Sequence, residues 1–496
     1  MWVIAAAECS EYCNKRSQGL NYKVSAQMLF NSLDFLFFFI IVTSLFFALP
    51  HKYRWFMLLA ASCWFYMAFV PIYIVILAGT IVVDYFAGIF IENTNQSKKK
   101  LFLIISLVAN IGVLAVFKYY NFFIDNINAV AGSVQLPYLK MLLPIGLSFH
   151  TFQAMSYTIE VYRGNQKAER HFGIYALYVM FYPQLVAGPI ERPQNILHQF
   201  HEKQQFEQND FFIGFKMMLW GMFKKVVIAD RLAIYVNQVY AAPGDFNGSM
   251  HCIAAIFFAV QIYCDFSGYS SIAIGAARTM GFRLMTNFNT PYHAVTVSEF
   301  WTRWHISLSS WFKDYVFYPI AVEKRSWGIW AVVFATIITF LISGLWHGAG
   351  WNFIFWGFLT GLFIVAETLL KVKSGRIRKS PFKKIPAIIY VFLVFAFTEI
   401  FFRAKSIQEG FYIVKKIFLQ KWTMPQNTVI FTNFSFVLSV LLIIFLFYAE
   451  ATFANKIIEN KLAERKGANI IFGIAIVSAI LLAGVFQKLS FIYFQF

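Results

Sequence analysis

The stretch SGLWHGAGWNF, residues 343–353, sets one histidine, His347, between two long uncharged runs, with Gly344, Gly348 and Gly350 around it. An imidazole can take a hydroxyl proton near neutral pH, so the pattern fits a general base inside a membrane. The same glycines also fit a packing motif, because small residues let helix backbones approach closely. A second stretch, EFWTRWHISLSSWFKDY at 299–315, places Arg303, His305, Ser307, Ser309, Ser310, Lys313 and Asp314 among three tryptophans. As one helix it would carry Trp301, Trp304, Leu308 and Trp311 on an apolar face and His305 with Ser309 on another. That suits either an interfacial helix with a tryptophan belt or a re-entrant segment lining a wet funnel. A third stretch, 261–282, has Asp265 and Arg278 at the ends of a Ser- and Gly-rich segment that reads as too short and polar to span. Asp265 either caps a helix beginning near Ser267 or belongs to a second re-entrant element. His198 and His201, with Glu202 beside them, lack a third ligand at zinc spacing and read as surface residues. Five cysteines form no CxxC pair and no Cys/His finger, so no metal site or disulfide framework is expected.

The elements that must hold these groups are membrane helices. Of 496 residues, 59% are hydrophobic, 20% aromatic and only 13% charged, with a mean hydropathy of +0.60. A soluble chain carries about 25% charged residues, so a soluble globular protein is excluded. Uncharged runs of spanning length recur at 55–83, 101–117, 172–190, 326–346, 348–366, 422–449 and 467–487. Shorter candidates lie at 33–49, 141–159, 211–222, 251–264 and 385–398, and together they predict about eleven spans. Mixed-charge segments at 191–207 and 313–325 read as interfacial helices on the cytoplasmic face.

Lys and Arg outnumber Asp and Glu by 42 to 24, a net charge of +18. The cations cluster in short connectors at 98–100, 371–384 and 456–466, as the positive-inside bias predicts, which argues against a nucleic-acid partner. Counting crossings from either end places both termini outside the cytoplasm. Residues 1–27 carry Lys15, Arg16 and Lys23 on that side and lack a signal-peptide core. They read as an extension from a mis-assigned start, leaving 28–496 as a single membrane domain that begins at Met28. The sequence has no GxSxG elbow, HExxH, Walker A loop or complete dinucleotide fingerprint, which argues against an ATP-driven pump or an ordinary serine hydrolase.

The runs FYPQLVAGPIERP (181–193), 261–282, NFNTPYHAVTVSEFWTRWHISLSSWFKDYVFYPI (287–320), SGLWHGAGWNFIFWG (343–357) and FIYFQF (491–496) together resemble the membrane-bound O-acyltransferase family. The resemblance covers 28–496 and is closest to the bacterial branch that acetylates alginate and other exopolysaccharides. It implies an all-α polytopic fold of transmembrane, re-entrant and interfacial helices around a central tunnel. An acyl donor would enter from the cytoplasm and an acceptor would lie outside. By the same resemblance His347 of WHG is the catalytic residue and His305 of WHIS the second essential one. Arg303, Asp265, Ser309, Asn352 and Trp346 are then the candidates for donor or substrate binding. Two departures stand out: Thr302-Arg303 replaces the usual Arg-Arg, and Ala321 to Arg325 replaces a glycine-rich turn.

Acetyl-CoA is the expected donor. Lys224, Lys225 and Arg231 at the cytoplasmic face would attract its phosphates, though topology alone explains those cations as well. The expected partners are the lipid bilayer, a polysaccharide acceptor and an extracytoplasmic SGNH-type acetyltransferase, and the expected location is the plasma (inner) membrane. Two rival readings are D-alanyl transfer from a carrier protein to teichoic acid, and a transporter or export scaffold without chemistry. The second would call for paired intramembrane charges or inverted repeats, which the sequence does not display.

Overall fold

In lipid every backbone N–H and C=O must be satisfied within its own segment, and apolar runs of this length therefore fold as helices. The computed structural model describes residues 28–132, 135–139, 143–420, 422, 433–454, 466–486 and 491–492. The 1–27 extension, most of the 456–466 connector and all of the 491–496 motif except Phe491 and Ile492 lie outside the described residues. Among the described residues the chain is all-α with no strand. Seven helices are long and apolar enough to cross a membrane: Pro71–Asn93, Gln96–Ala131, Gly248–Thr279, Ile329–His347, Trp351–Leu369, Phe382–Arg403 and Phe434–Thr452. Two shorter apolar helices, Leu33–Ala48 and Ile471–Ala483, accompany them. The chain is a multi-pass membrane protein.

Several expected spans take a different form. The 55–83 run is two helices, His51–Met67 and Ile74–Asn93. They part where Pro71 removes a backbone donor and keeps Val70 extended. The 101–117 run continues to Ala131 through a π-helical turn, Ala115–Tyr119, so Lys118 lies within the helix rather than at its end. The 172–190 run breaks into Phe172–Met180 and Tyr182–Leu185 around Pro183, and its residues from Gly173 onward are buried. The 141–159 and 211–222 candidates become Leu147–Arg163, nearly all buried, and Gln208–Met222. The 191–207 segment forms Pro193–His201, which buries Ile196, Leu197 and Phe200 on one side, as an interfacial helix would.

The largest correction concerns 261–282, which is neither a cap nor a re-entrant element. It is the second half of one 32-residue helix, Gly248–Thr279, and Asp265 sits in its middle. Its serines and glycines serve contact. A Cβ on Gly214 would lie 2.5 Å from the Gly275 carbonyl oxygen, and one on Gly221 would lie 2.5 Å from that of Gly268. Backbones touch there, and only glycine allows it. This helix contributes to both apolar clusters: Phe266 to Ala277 pack with the N-terminal third of the chain, and Ala254 to Cys264 with the helices that follow. The site lies where the two clusters meet.

Candidate active site

The WHIS segment is not one helix. It divides into Val297–Arg303 and Ile306–Phe312, and His305 at the junction adopts φ 42° and ψ 55°, the left-handed region. For a residue with a Cβ that costs of order 1–3 kcal/mol and persists only where surrounding contacts over-determine it. Asn287 supplies those contacts. Its backbone carbonyl accepts the Ile306 N–H at 2.8 Å, and its side-chain oxygen accepts the Ser307 hydroxyl at 2.8 Å and the Ser307 N–H at 3.3 Å. The Asn287 amide in turn donates to the Ser270 hydroxyl at 3.1 Å. His305 Nδ1 stands 3.0 Å from the same Asn287 oxygen, which can only accept. The hydrogen bond therefore assigns the proton to Nδ1 and the lone pair to Nε2. Because the helix breaks here, His305 and Ser309 do not share a helical face as the sequence suggests.

His347 ends the Ile329–His347 helix, and the chain turns directly into Trp351–Leu369. A Cβ on Gly344 would strike the Phe353 carbonyl, and one on Gly348 the Phe353 ring, so the glycines of the motif let this hairpin close. The His347 ring meets Trp346, Trp356 and Phe402 edge-on, with centroids at 4.9, 5.1 and 5.4 Å. Trp356 is held by its indole N–H, which donates to the buried Glu399 carboxylate at 3.0 Å.

Trp346 brings the two histidines together. Its ring lies 4.9 Å from that of His347 and 6.4 Å from that of His305. Phe149 and Phe152 back the indole at 5.4 and 5.5 Å. A small cavity of about 70 Å³ opens beside it, lined by Lys118, Gly146, Ser148, Trp346 and His347. Gly146 has φ +77°, and a Cβ there would lie 2.6 Å from the Leu185 carbonyl oxygen, so the FYPQLVAG loop forms the back of this wall.

The other expected site residues are bound to protein and do not line that cavity. Asp265 pairs with Lys225 at 2.6 Å and accepts the Ile492 N–H at 2.7 Å, while Lys225 also pairs with Asp230 at 2.8 Å. Phe491 stacks on Tyr269 beside it. Arg303 binds Glu299 at 2.8 Å and the Asn289 carbonyl at 3.2 Å, pinning the loop that carries Asn287. Ser309 donates to the Trp304 carbonyl at 3.0 Å, and Asn352 to that of Ala404 at 2.9 Å. Of the cations expected to meet coenzyme A, Lys224 and Lys225 are buried and Arg231 is partly buried. Lys224 donates to the Ser267 carbonyl and the Ser271 hydroxyl, both at 3.1 Å. Arg231 donates to the Ala483 carbonyl at 2.6 Å.

Sequence reasoning passes over Lys118, Asn287, Ser148 and Glu399. A signal exists for Lys118, a lone cation inside the otherwise uncharged 101–124 stretch. Asn287 opens the matching run 287–320, but within it NFNTPY reads as an ordinary loop and does not mark the side chain.

Fold and site define a class: an all-α, multi-pass membrane protein with two imidazoles gathered inside it. Residues 170–414 match the model of MBOAT, the membrane-bound O-acyltransferase family. A probable alginate O-acetylase of Azotobacter vinelandii is 34% identical over 408 residues, 80% of this chain and 79% of that protein. A peptidoglycan O-acetyltransferase of Helicobacter pylori is 34% identical over 426 residues, 78% of this chain and 79% of that protein. A teichoic acid D-alanyltransferase of Bacillus subtilis is 23% identical over 264 residues, 51% of this chain and 66% of that protein. The chain belongs to the membrane-bound O-acyltransferase family, in the branch that includes the bacterial alginate O-acetylases, and is an O-acyltransferase.

Proposed function

We propose that this enzyme takes an acetyl group from acetyl-CoA on the cytoplasmic side and passes it across the plasma (inner) membrane for O-acetylation of an extracytoplasmic polysaccharide such as alginate. The observation that carries the reading is the placement of His305 and His347 around Trp346, with His347 at the cavity. In the step on this chain a hydroxyl of the receiving group, from which the partner then moves the acetyl on to the sugar, attacks the thioester carbonyl, a C–O bond forms, the C–S bond breaks, and the hydroxyl proton ends on the coenzyme A sulfur. His347 is the base that takes this proton, a role typically worth about 10²–10⁴ in rate. His305 orients the donor or relays the proton through Nε2. Among the described residues the connectors are short and form no long glycan cleft, so a separate SGNH-type acetyltransferase places the acetyl group on the sugar, and both termini of this chain lie outside the cytoplasm. D-alanyl transfer is less well supported, because the relatives carrying that name align with about half of the chain.

The test is thiol release from acetyl-CoA by the full chain in lipid nanodiscs, with the partner's soluble domain and polysaccharide added. Wild type should release coenzyme A and label the glycan only when the partner is present. His347→Ala and His347→Gln should both be inactive while remaining inserted, since neither side chain is a base at neutral pH. Most activity surviving in the Gln variant would remove His347 as the base. Use of a carrier-bound D-alanine in place of acetyl-CoA would overturn the substrate assignment.

A further inference from the structure

The Ile329–His347 helix ends inside the protein, where its last carbonyls have no donors of their own. Each is nevertheless satisfied. The Gly344 carbonyl accepts the Gly348 N–H at 3.3 Å. The Leu345 carbonyl accepts the Tyr119 hydroxyl at 2.9 Å. The Trp346 carbonyl accepts Lys118 Nζ at 2.6 Å, and the His347 carbonyl accepts the same ammonium at 3.2 Å. Three successive carbonyls are thus capped by two successive residues of a distant helix.

Those two residues lie in the π-helical turn Ala115–Tyr119. Such a turn inserts one residue into the helical ladder and often marks a functional position. A cation at a helix C-terminus also meets the negative end of the helix dipole. Lys118 sits on the cavity wall with His347, its Nζ 3.5 Å from the Ser148 hydroxyl and 5.7 Å from the centre of the Trp346 ring. Among the described residues no carboxylate pairs with it. A lysine held among carbonyls in this setting is costly, and intramembrane cations of this kind mark functional sites.

We propose that Lys118 is the positioning residue for His347. By gripping the last two carbonyls of the helix it fixes where the helix stops and hence how the imidazole faces the cavity. Tyr119 supports the same grip one carbonyl earlier. The inference rests on the reading of His347 as the base, and its test includes a readout that needs no substrate.

Full-length wild type, Lys118→Met, Lys118→Arg and Tyr119→Phe would be compared in nanodiscs. Four quantities are read: the unfolding midpoint, kcat and KM for acetyl-CoA, and the rate at which diethyl pyrocarbonate modifies His347, followed by peptide mass spectrometry. Lys118→Met should lower kcat by about 10- to 100-fold with KM nearly unchanged, the range expected when a reacting group is misplaced by about 1 Å. It should also change the modification rate of His347 severalfold at an unaltered midpoint. Lys118→Arg, which keeps a charged donor, should recover much of both. Tyr119→Phe should move both in the same direction by less, and it serves as the decisive variant if Lys118→Met does not fold. Unchanged kcat and unchanged His347 reactivity in these variants would overturn the proposal. Equal impairment of the Met and Arg variants with a lowered midpoint would reduce Lys118 to a structural clamp. If wild type consumes no acetyl-CoA, the proposed function falls, while the modification rates still decide whether Lys118 positions His347.

Discussion

Asn287 binds His305 through the one oxygen that also receives both donors of Ser307. A single amide thus fixes the ring, its tautomer and the backbone that carries it. Asn287→Leu removes every side-chain acceptor at this point and should lower the acetyl-transfer rate by about 10- to 100-fold, the usual range for losing an orienting partner. Asn287→Asp, which still accepts, should lose less. Equal rates in the two variants would show that the orientation of His305 does not matter to turnover.

The left-handed backbone at His305 separates stability from chemistry. Glycine adopts φ 42° without the Cβ penalty that alanine incurs. His305→Gly should therefore be more heat-stable than His305→Ala by about 1 kcal/mol, although both lose transfer activity. Thermal unfolding in detergent checks the order, and a more stable alanine variant would contradict it.

Asp265 was a candidate for donor binding, and its geometry makes a different prediction. Asp265→Asn leaves buried Lys225 with Asp230 alone, and breaking a buried ion pair costs about 3–5 kcal/mol. The variant should be poorly folded, with KM for acetyl-CoA unchanged in whatever folds. A raised KM at full stability would return Asp265 to the donor site.

At Gly221 the expectation is steric. Gly221→Ala puts a Cβ 2.5 Å from the Gly268 carbonyl oxygen and should lower the unfolding midpoint markedly, whereas Gly79→Ala meets nothing within 4 Å. Alanine is the better helix former, so the second change should be neutral or stabilising by about 0.4–1 kcal/mol. Similar midpoints for the two would mean that the helices do not touch there.

Legibility in the sequence followed chemistry more than length. His305 and His347 stood out as single polar groups in apolar runs, where their cost in lipid marks them. The membrane class followed from composition. Lys118 was lost because an uncharged run is read as ending at its first cation, and the π-turn shows the helix passing through it. The Gly248–Thr279 helix was lost because serine and glycine signal loops in water, whereas between membrane helices they signal contact. Asp265, Arg303 and Asn352 were conspicuous as polar residues in the matching motifs, and each is engaged by protein groups. Spacing alone does not separate a side chain that meets substrate from one that meets its neighbour.

The Lys225, Asp230 and Asp265 cluster bears on how the protein is made. A lone charge at the centre of an inserting helix is opposed by about 2.5–3.5 kcal/mol. Lys225 and Asp230 precede Asp265 in the growing chain, so when the Gly248–Thr279 segment emerges its carboxylate already has a cation waiting. The Gly248–Thr279 segment is expected to leave the insertion machinery for the bilayer together with the segment that carries Lys225, whose ammonium offsets the Asp265 carboxylate. The Ile492 N–H, 227 residues later, then adds the final donor to a unit already in place.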